Sequence, residues 1–208
     1  MILTPIAPDQ LPSLLAQFAA GLPDDTCARA AFARIVAAPR EALSPSEEDA
    51  ARRRAVAVAE AQGIATLDEE PAAAFSWDGG VIRSRSEPSV LLHEIAHWWI
   101  CPPARRRLPD FGLGAGPETG LVAVADAARQ TDQPTQEREE AMASLLGILW
   151  EAELGLPAMA AFAEQNWLEK PDRPGTPAYF ATVIGWLRAA GLIDEQARPS
   201  AHVAPKGI

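Results

Sequence analysis

Cysteine and histidine are scarce in this 208-residue chain, basic residues are outnumbered, and there is no long hydrophobic run. Each shortage excludes something. Two cysteines, Cys27 and Cys101, make neither a disulfide framework nor a four-cysteine zinc site. The net charge of −10 repels a polyphosphate backbone, which argues against nucleic acid as a partner. The longest uncharged, mostly apolar run, residues 141–150, falls well short of the roughly 20 residues that span a bilayer, so no membrane partner is expected. No basic residue precedes Arg29, unlike the start of a secretion signal. The expectation is a cytoplasmic enzyme or binding protein.

What is present is a globular composition, rich in alanine and proline and dense in Gly-Pro punctuation, which favours helices joined by loops. Apolar spacing predicts a helix over 11–20, stopping at Gly21, and a second from Asp25 to about Ala38. Ser44, Pro45 and Glu47 form the start of a third, with Glu47 placed for a capping box, ending near Gly63. Residues 74–84 read as a β-hairpin turning at Asp78-Gly-Gly80. Ser86 is the expected cap of a helix that runs to about Cys101 and stops at Pro102-Pro103. Residues 103–134 read as loop with a short helix near 121–129. Further helices are expected over 135–153, 158–169 and 177–190. The fold class is therefore α+β, mainly α: a metal-binding helix with a small hairpin and a helical bundle. Within one compact domain, residues 1–70 form an N-terminal helical region, 71–195 a metal-binding catalytic region, and 196–208 a loose tail.

The chemistry concentrates in Leu91-Leu-His93-Glu94-Ile-Ala-His97-Trp98. Positions i and i+4 of a helix lie one above the other, so His93 and His97 can present nitrogens to one cation. Glu94 is turned about 100° from His93 and can serve as a base without being a ligand. A buried His-Glu-His cluster with no ion would leave ionisable groups uncompensated beside Ile95, Trp98 and Trp99, which is costly. Two histidines hold a metal weakly, so a third ligand is expected. His202, in the tail, reads as a solvated surface residue. The better source is the helix from Thr135, where Glu137, Glu139 and Glu140 cluster. Glu140 shares a face with Ala143, Ser144 and Gly147, small residues that let another helix approach. Glu137 is the runner-up, and compensation of the helix dipole is an alternative use for either.

Two histidines and a carboxylate leave coordination positions open. Zn(II) in such a site serves hydrolysis with Glu94 as base. Fe(II) serves oxygenation. A non-catalytic metal-binding or scaffold protein is a third alternative. Of two arginine runs, Arg52-Arg53-Arg54 reads as a solvated helix face, and Arg105-Arg106-Arg107 lies in a loop close to the motif. Asp110-Phe111-Gly112 matches the metal-binding triplet of kinases, but no glycine-rich nucleotide loop accompanies it.

The stretch His93-Glu-Ile-Ala-His97-Trp98, with Ile100, Ala104-Arg105-Arg106, Leu108 and Asp110-Phe111-Gly112, resembles the elongation factor P hydroxylases. Glu137 and Glu140 repeat that family's Glu-x-x-Glu step ahead of Gly155 and Pro157. Pro171-Asp-Arg-Pro174, ahead of a helix over 179–188, is a further likeness. The resemblance spans roughly residues 88–188. It implies a metal-dependent hydroxylase of a protein side chain, with elongation factor P as partner and substrate. The metal ligands would be His93, His97 and Glu140. Glu94 would act at the metal, and Arg105, Arg106 and Asp110 would shape the rim. Leu113-Gly-Ala-Gly116 and Ala141-Met-Ala-Ser144 depart from the family pattern where substrate would be touched, so the chain reads as a divergent member.

Overall fold

A computed structural model describes residues 6, 7, 9–71, 77–115, 121–168 and 176–200. Among them the chain is mainly helical, with eight α-helices and one two-stranded sheet. They form two compact units. One comprises the described residues within Met1–Ala42 and Ile148–Val203, the other those of Leu43–Gly147.

In the first unit, α1 (Leu11–Gly21) and α2 (Thr26–Ala37) pack on α8 (Thr176–Ala189), and α2 also packs on α7 (Ala158–Glu164). Asp25 starts α2 by accepting a 2.9 Å hydrogen bond from the Ala28 amide, satisfying one of the helix's orphan donors. Phe18, Phe32, Phe162 and Phe180 meet at the centre. Phe18 and Phe32 stack at 4.7 Å, and Phe162 and Phe180 each meet Phe18 edge-on at 5.4 Å. Full burial of each such ring is worth about 1.5–3 kcal/mol. α7 is shorter than its apolar pattern predicts. It stops at Glu164 because Asn166 takes a left-handed φ of 61°, a conformation that ends helices. After α8, Asp194 Oδ1 accepts from the Gln196 and Arg198 amides, and Ile193 pairs with Pro199. The remainder of the expected tail, including His202, lies outside the described residues, as does the Pro171–Pro174 segment.

In the second unit, α3 (Pro45–Ala61) packs on α4 (Pro88–Ile100). The Glu47 carboxylate accepts from the Ser44 amide at 2.8 Å and from its hydroxyl at 2.5 Å, the reach-back half of the predicted capping box. Ala51, Ala55 and Ala59, spaced by four, are fully buried and give α3 a smooth apolar stripe. Arg52 is not simply solvated. It pairs with Glu48 and Asp49, and its Nε donates to the Ser86 carbonyl at 3.0 Å, ahead of α4. Ser86 is not the α4 cap: Glu87 holds that position, with Pro88 as the first helical residue and no side-chain cap bond.

The expected hairpin is described at its turn end, and its second strand also has a partner that the pattern did not announce. Strand β2 (Ile82–Arg83) pairs in parallel with β1 (Thr66–Leu67), in register Thr66 to Ile82 and Leu67 to Arg83. The turn itself forms: Asp78 Oδ1 accepts from Gly80 and Val81, and Trp77 makes an antiparallel bridge to Ile82. Residues 72–76 of the expected first strand lie outside the described residues. A two-residue strand is too short to carry a period-2 signature, so β1 leaves no mark in the sequence.

Beyond α4 the chain makes a 3₁₀ turn (Pro109–Gly112), then α5 (Val122–Ala128) and α6 (Gln133–Glu153). α6 begins two residues before Thr135, because Asp132 accepts from the Thr135 amide at 3.0 Å. Its residues through Gly147 belong to the second unit and those from Ile148 to the first. No helix among the described residues is long and apolar enough to cross a membrane.

In the first unit, burial and the nearby Glu164 charge push Glu151, 4% exposed, from the ordinary 4.5 up to about 8. The folded state then holds a proton that the unfolded chain has released between those two values. Stability must fall as pH rises through that window. Glu151→Gln is expected to flatten the dependence and to raise stability at its alkaline end by on the order of 2–3 kcal/mol, read by urea denaturation at both ends of the window.

Candidate metal centre

His93 and His97 sit on α4 and Glu140 on α6, all within the second unit. Their donor atoms converge. His93 Nε2 and His97 Nε2 are 2.9 Å apart, and Glu140 Oε2 lies 3.6 Å from the first and 3.4 Å from the second. An ion about 2.0–2.1 Å from each of two donors holds them about 2.9 Å apart at a right angle and about 3.4 Å apart at the tetrahedral angle. The two imidazole–carboxylate edges and the imidazole–imidazole edge match such angles, the 3.6 Å edge being slightly wider. Two imidazole nitrogens at 2.9 Å cannot both point lone pairs at each other, so a proton or a cation must lie between them. Three nitrogen and oxygen donors on one point fit a divalent transition metal.

The convergence depends on a close helix approach. A Cβ placed on Gly147 would lie 3.3 Å from both the amide nitrogen and the Cα of His93, so α6 lies directly against the backbone of α4 there. Glu140 is two turns before Gly147 on the same face, as the small residues Ala143, Ser144 and Gly147 predict. Burial works to raise the Glu140 carboxyl. The positive charge of His97 and hydrogen bonds from both rings outweigh it and hold the group well below the usual carboxylate range. The runner-up, Glu137, is exposed, takes a 2.8 Å hydrogen bond from Gln133, and does not join the group. Glu94 is half-buried on the adjoining face of α4.

A second layer surrounds His97. Its ring is 5.4 Å from that of Phe111, nearly parallel, and Phe111 in turn stacks on Trp77 at 5.3 Å. His97 Nδ1 is buried and has no hydrogen-bond partner among the described residues, so ring packing orients this imidazole. Phe111 itself stands on an unusual backbone. Asp110, Phe111 and Gly112 have φ of 45°, 54° and 67°. For the two residues with a Cβ this costs roughly 1–2 kcal/mol each. A Cβ on Gly112 would sit 2.8 Å from Leu108 Cδ1, so the tip of that side chain would have to move, and the positive φ would add strain. Among the bonds that hold the turn are Asp110 N to the Trp77 carbonyl at 3.2 Å, Gln130 N to the Gly112 carbonyl at 2.8 Å, and Arg105 Nη1 to the Phe111 carbonyl at 2.9 Å.

Arg105, expected on the rim, is buried instead, because it forms an ion pair with buried Glu139 of α6. Arg106 lies over the Trp98 ring at 3.9 Å and donates to the Cys101 carbonyl. Cys101 is a buried free thiol pushed up to about 12 by desolvation, which makes it an inert packing group. Sequence reasoning missed the parts played by Phe111 and the Arg105–Glu139 pair. Glu139 stands between two other glutamates with nothing local to mark it as the buried one.

Comparison with known families, characterised proteins and solved structures finds no match to the chain.

The geometry separates the two candidate carboxylates. Glu140→Gln is expected to weaken Zn(II) binding about 100-fold or more, and Glu137→Gln to leave it unchanged, in competition titrations against a chromophoric chelator. Gly147→Val, which forces α6 off His93, is expected to approach the Glu140 loss in the same assay.

Proposed function

We propose that this chain is a mononuclear metal enzyme that hydroxylates a protein side chain, with elongation factor P as the substrate. The observation that carries the metal part is the convergence of His93, His97 and Glu140 within 3.6 Å of one another. Among the described residues no fourth His, Cys, Asp or Glu joins the group, so coordination positions are left for reactants. When bound in a 2-His-1-carboxylate set of this kind, Fe(II) supplies dioxygen activation. The side chains of His93 and Glu140 are 27% and 40% exposed, which suits a site reached by a residue projecting from another protein. The hydroxylase reading draws on the ungapped likeness from His93 to Gly112, and Trp77, Phe111 and Trp98 would keep water from the enclosed side.

Fe(II)-reconstituted protein is expected to add the mass of one oxygen atom to lysine-modified elongation factor P under air with a reductant, by mass spectrometry. His93→Ala should abolish the gain. An unchanged substrate mass after full Fe(II) loading would end the hydroxylase reading while leaving the metal centre intact.

A second reading is a zinc hydrolase of zincin type, favoured by the His-Glu-x-x-His spacing on α4 with its third carboxylate on a later helix. There Glu94 would hold the proton taken from the attacking water. Glu94→Gln is then expected to lower peptide hydrolysis by about 10²-fold or more with zinc content preserved. Peptidase activity indifferent to this change would discard the hydrolase.

A further inference from the structure

Building on the metal-centre reading, we infer that Arg105 is a positioning residue for that centre, tying both ligand-bearing helices to one buried guanidinium. Arg105 and Glu139 are 8% and 9% exposed. Glu139 and Glu140 are adjacent on α6, so their side chains diverge by about 100°. One reaches the imidazoles and the other reaches Arg105. The same guanidinium donates through Nη1 to the Phe111 carbonyl at 2.9 Å, and the Phe111 ring lies against His97. Arg105 thus fixes Glu140 through its neighbour and fixes His97 through Phe111.

Stability alone does not account for the pair. A buried ion pair is often no more stabilising than an apolar pair of the same volume. What an apolar pair cannot do is hold the Phe111 carbonyl in a left-handed turn while fixing the rotation of α6. Removing the guanidinium leaves a buried carboxylate beside the third ligand and frees the ring that orients an imidazole whose Nδ1 has no other hold among the described residues.

Co(II) is the probe, since its visible absorption reports the ligand field as well as occupancy. Arg105→Met is expected to lower Co(II) affinity about 10–100-fold and to change the visible spectrum. Arg105→Lys, which keeps the charge and one hydrogen bond, should recover part of both. Phe111→Leu keeps the ion pair, removes the ring from His97, and should reproduce the spectral change. Arg85→Met breaks an exposed 3.0 Å ion pair with Asp68 elsewhere in the unit and should leave the spectrum alone. Folded Arg105 variants and Phe111→Leu with wild-type affinity and spectrum would overturn the inference and leave the metal centre standing. Should Arg105→Met not fold, Arg105→Lys and Phe111→Leu decide it. Wild-type protein that takes up no Co(II) would overturn the metal centre itself, before any variant is read.

Discussion

The contact on which the candidate site depends is the seating of Gly147 against the backbone of His93. Glycine lets α6 and α4 approach until a Cβ would stand 3.3 Å from two α4 backbone atoms. A carboxylate two turns away is thereby carried to within 3.4 Å of an imidazole nitrogen. A larger residue at 147 would displace the helix axis, and the donor set is narrow enough that a shift of a few tenths of an ångström changes the coordination angles. The alanine stripe of α3 against α4 follows the same logic on a smaller scale, with small residues replacing side-chain interdigitation by close backbone packing.

The enclosure around His97 then constrains what the site can do. Trp77, Phe111 and His97 form a stack in which each ring limits the next, and the stack closes the inner side of the cluster. Exposure rises from His97 at 5% to Glu140 at 40%. The open side of the cluster is therefore that of Glu140 and His93. The left-handed turn at Asp110 and Phe111 is the cost of aiming the Phe111 ring, and hydrogen bonds to Trp77, Arg105 and Gln130 help to sustain it.

Local chemistry made much of this legible. The spacing of His93 and His97 announced a shared face, Asp25 and the Ser44–Glu47 pair announced helix starts, and the small residues after Glu140 announced a close helix contact. Those signals are short-range and arise from helical geometry itself. The sheet was not legible, because β1 has two residues and its partner lies sixteen positions away. Neither was the burial of Arg105. A guanidinium in a run of three arginines reads as solvated, and only its pairing with a distant glutamate makes burial tolerable. The choice between Glu137 and Glu140 for the metal turns on which face of α6 meets α4, and the small residues on the Glu140 face, Gly147 above all, mark that face.

The hydroxylase and hydrolase readings share their ligands and differ in what they ask of the surroundings. Hydrolysis asks for a base beside the attacking water, and Glu94 is the one residue of the motif that can serve without leaving α4. Hydroxylation asks instead that a reactive oxidant meet one substrate bond and nothing else. For that, the inert surroundings matter more than any single base. The aromatic stack on the inner side suits that demand, whereas coordination positions left by three protein ligands among the described residues suit both readings alike.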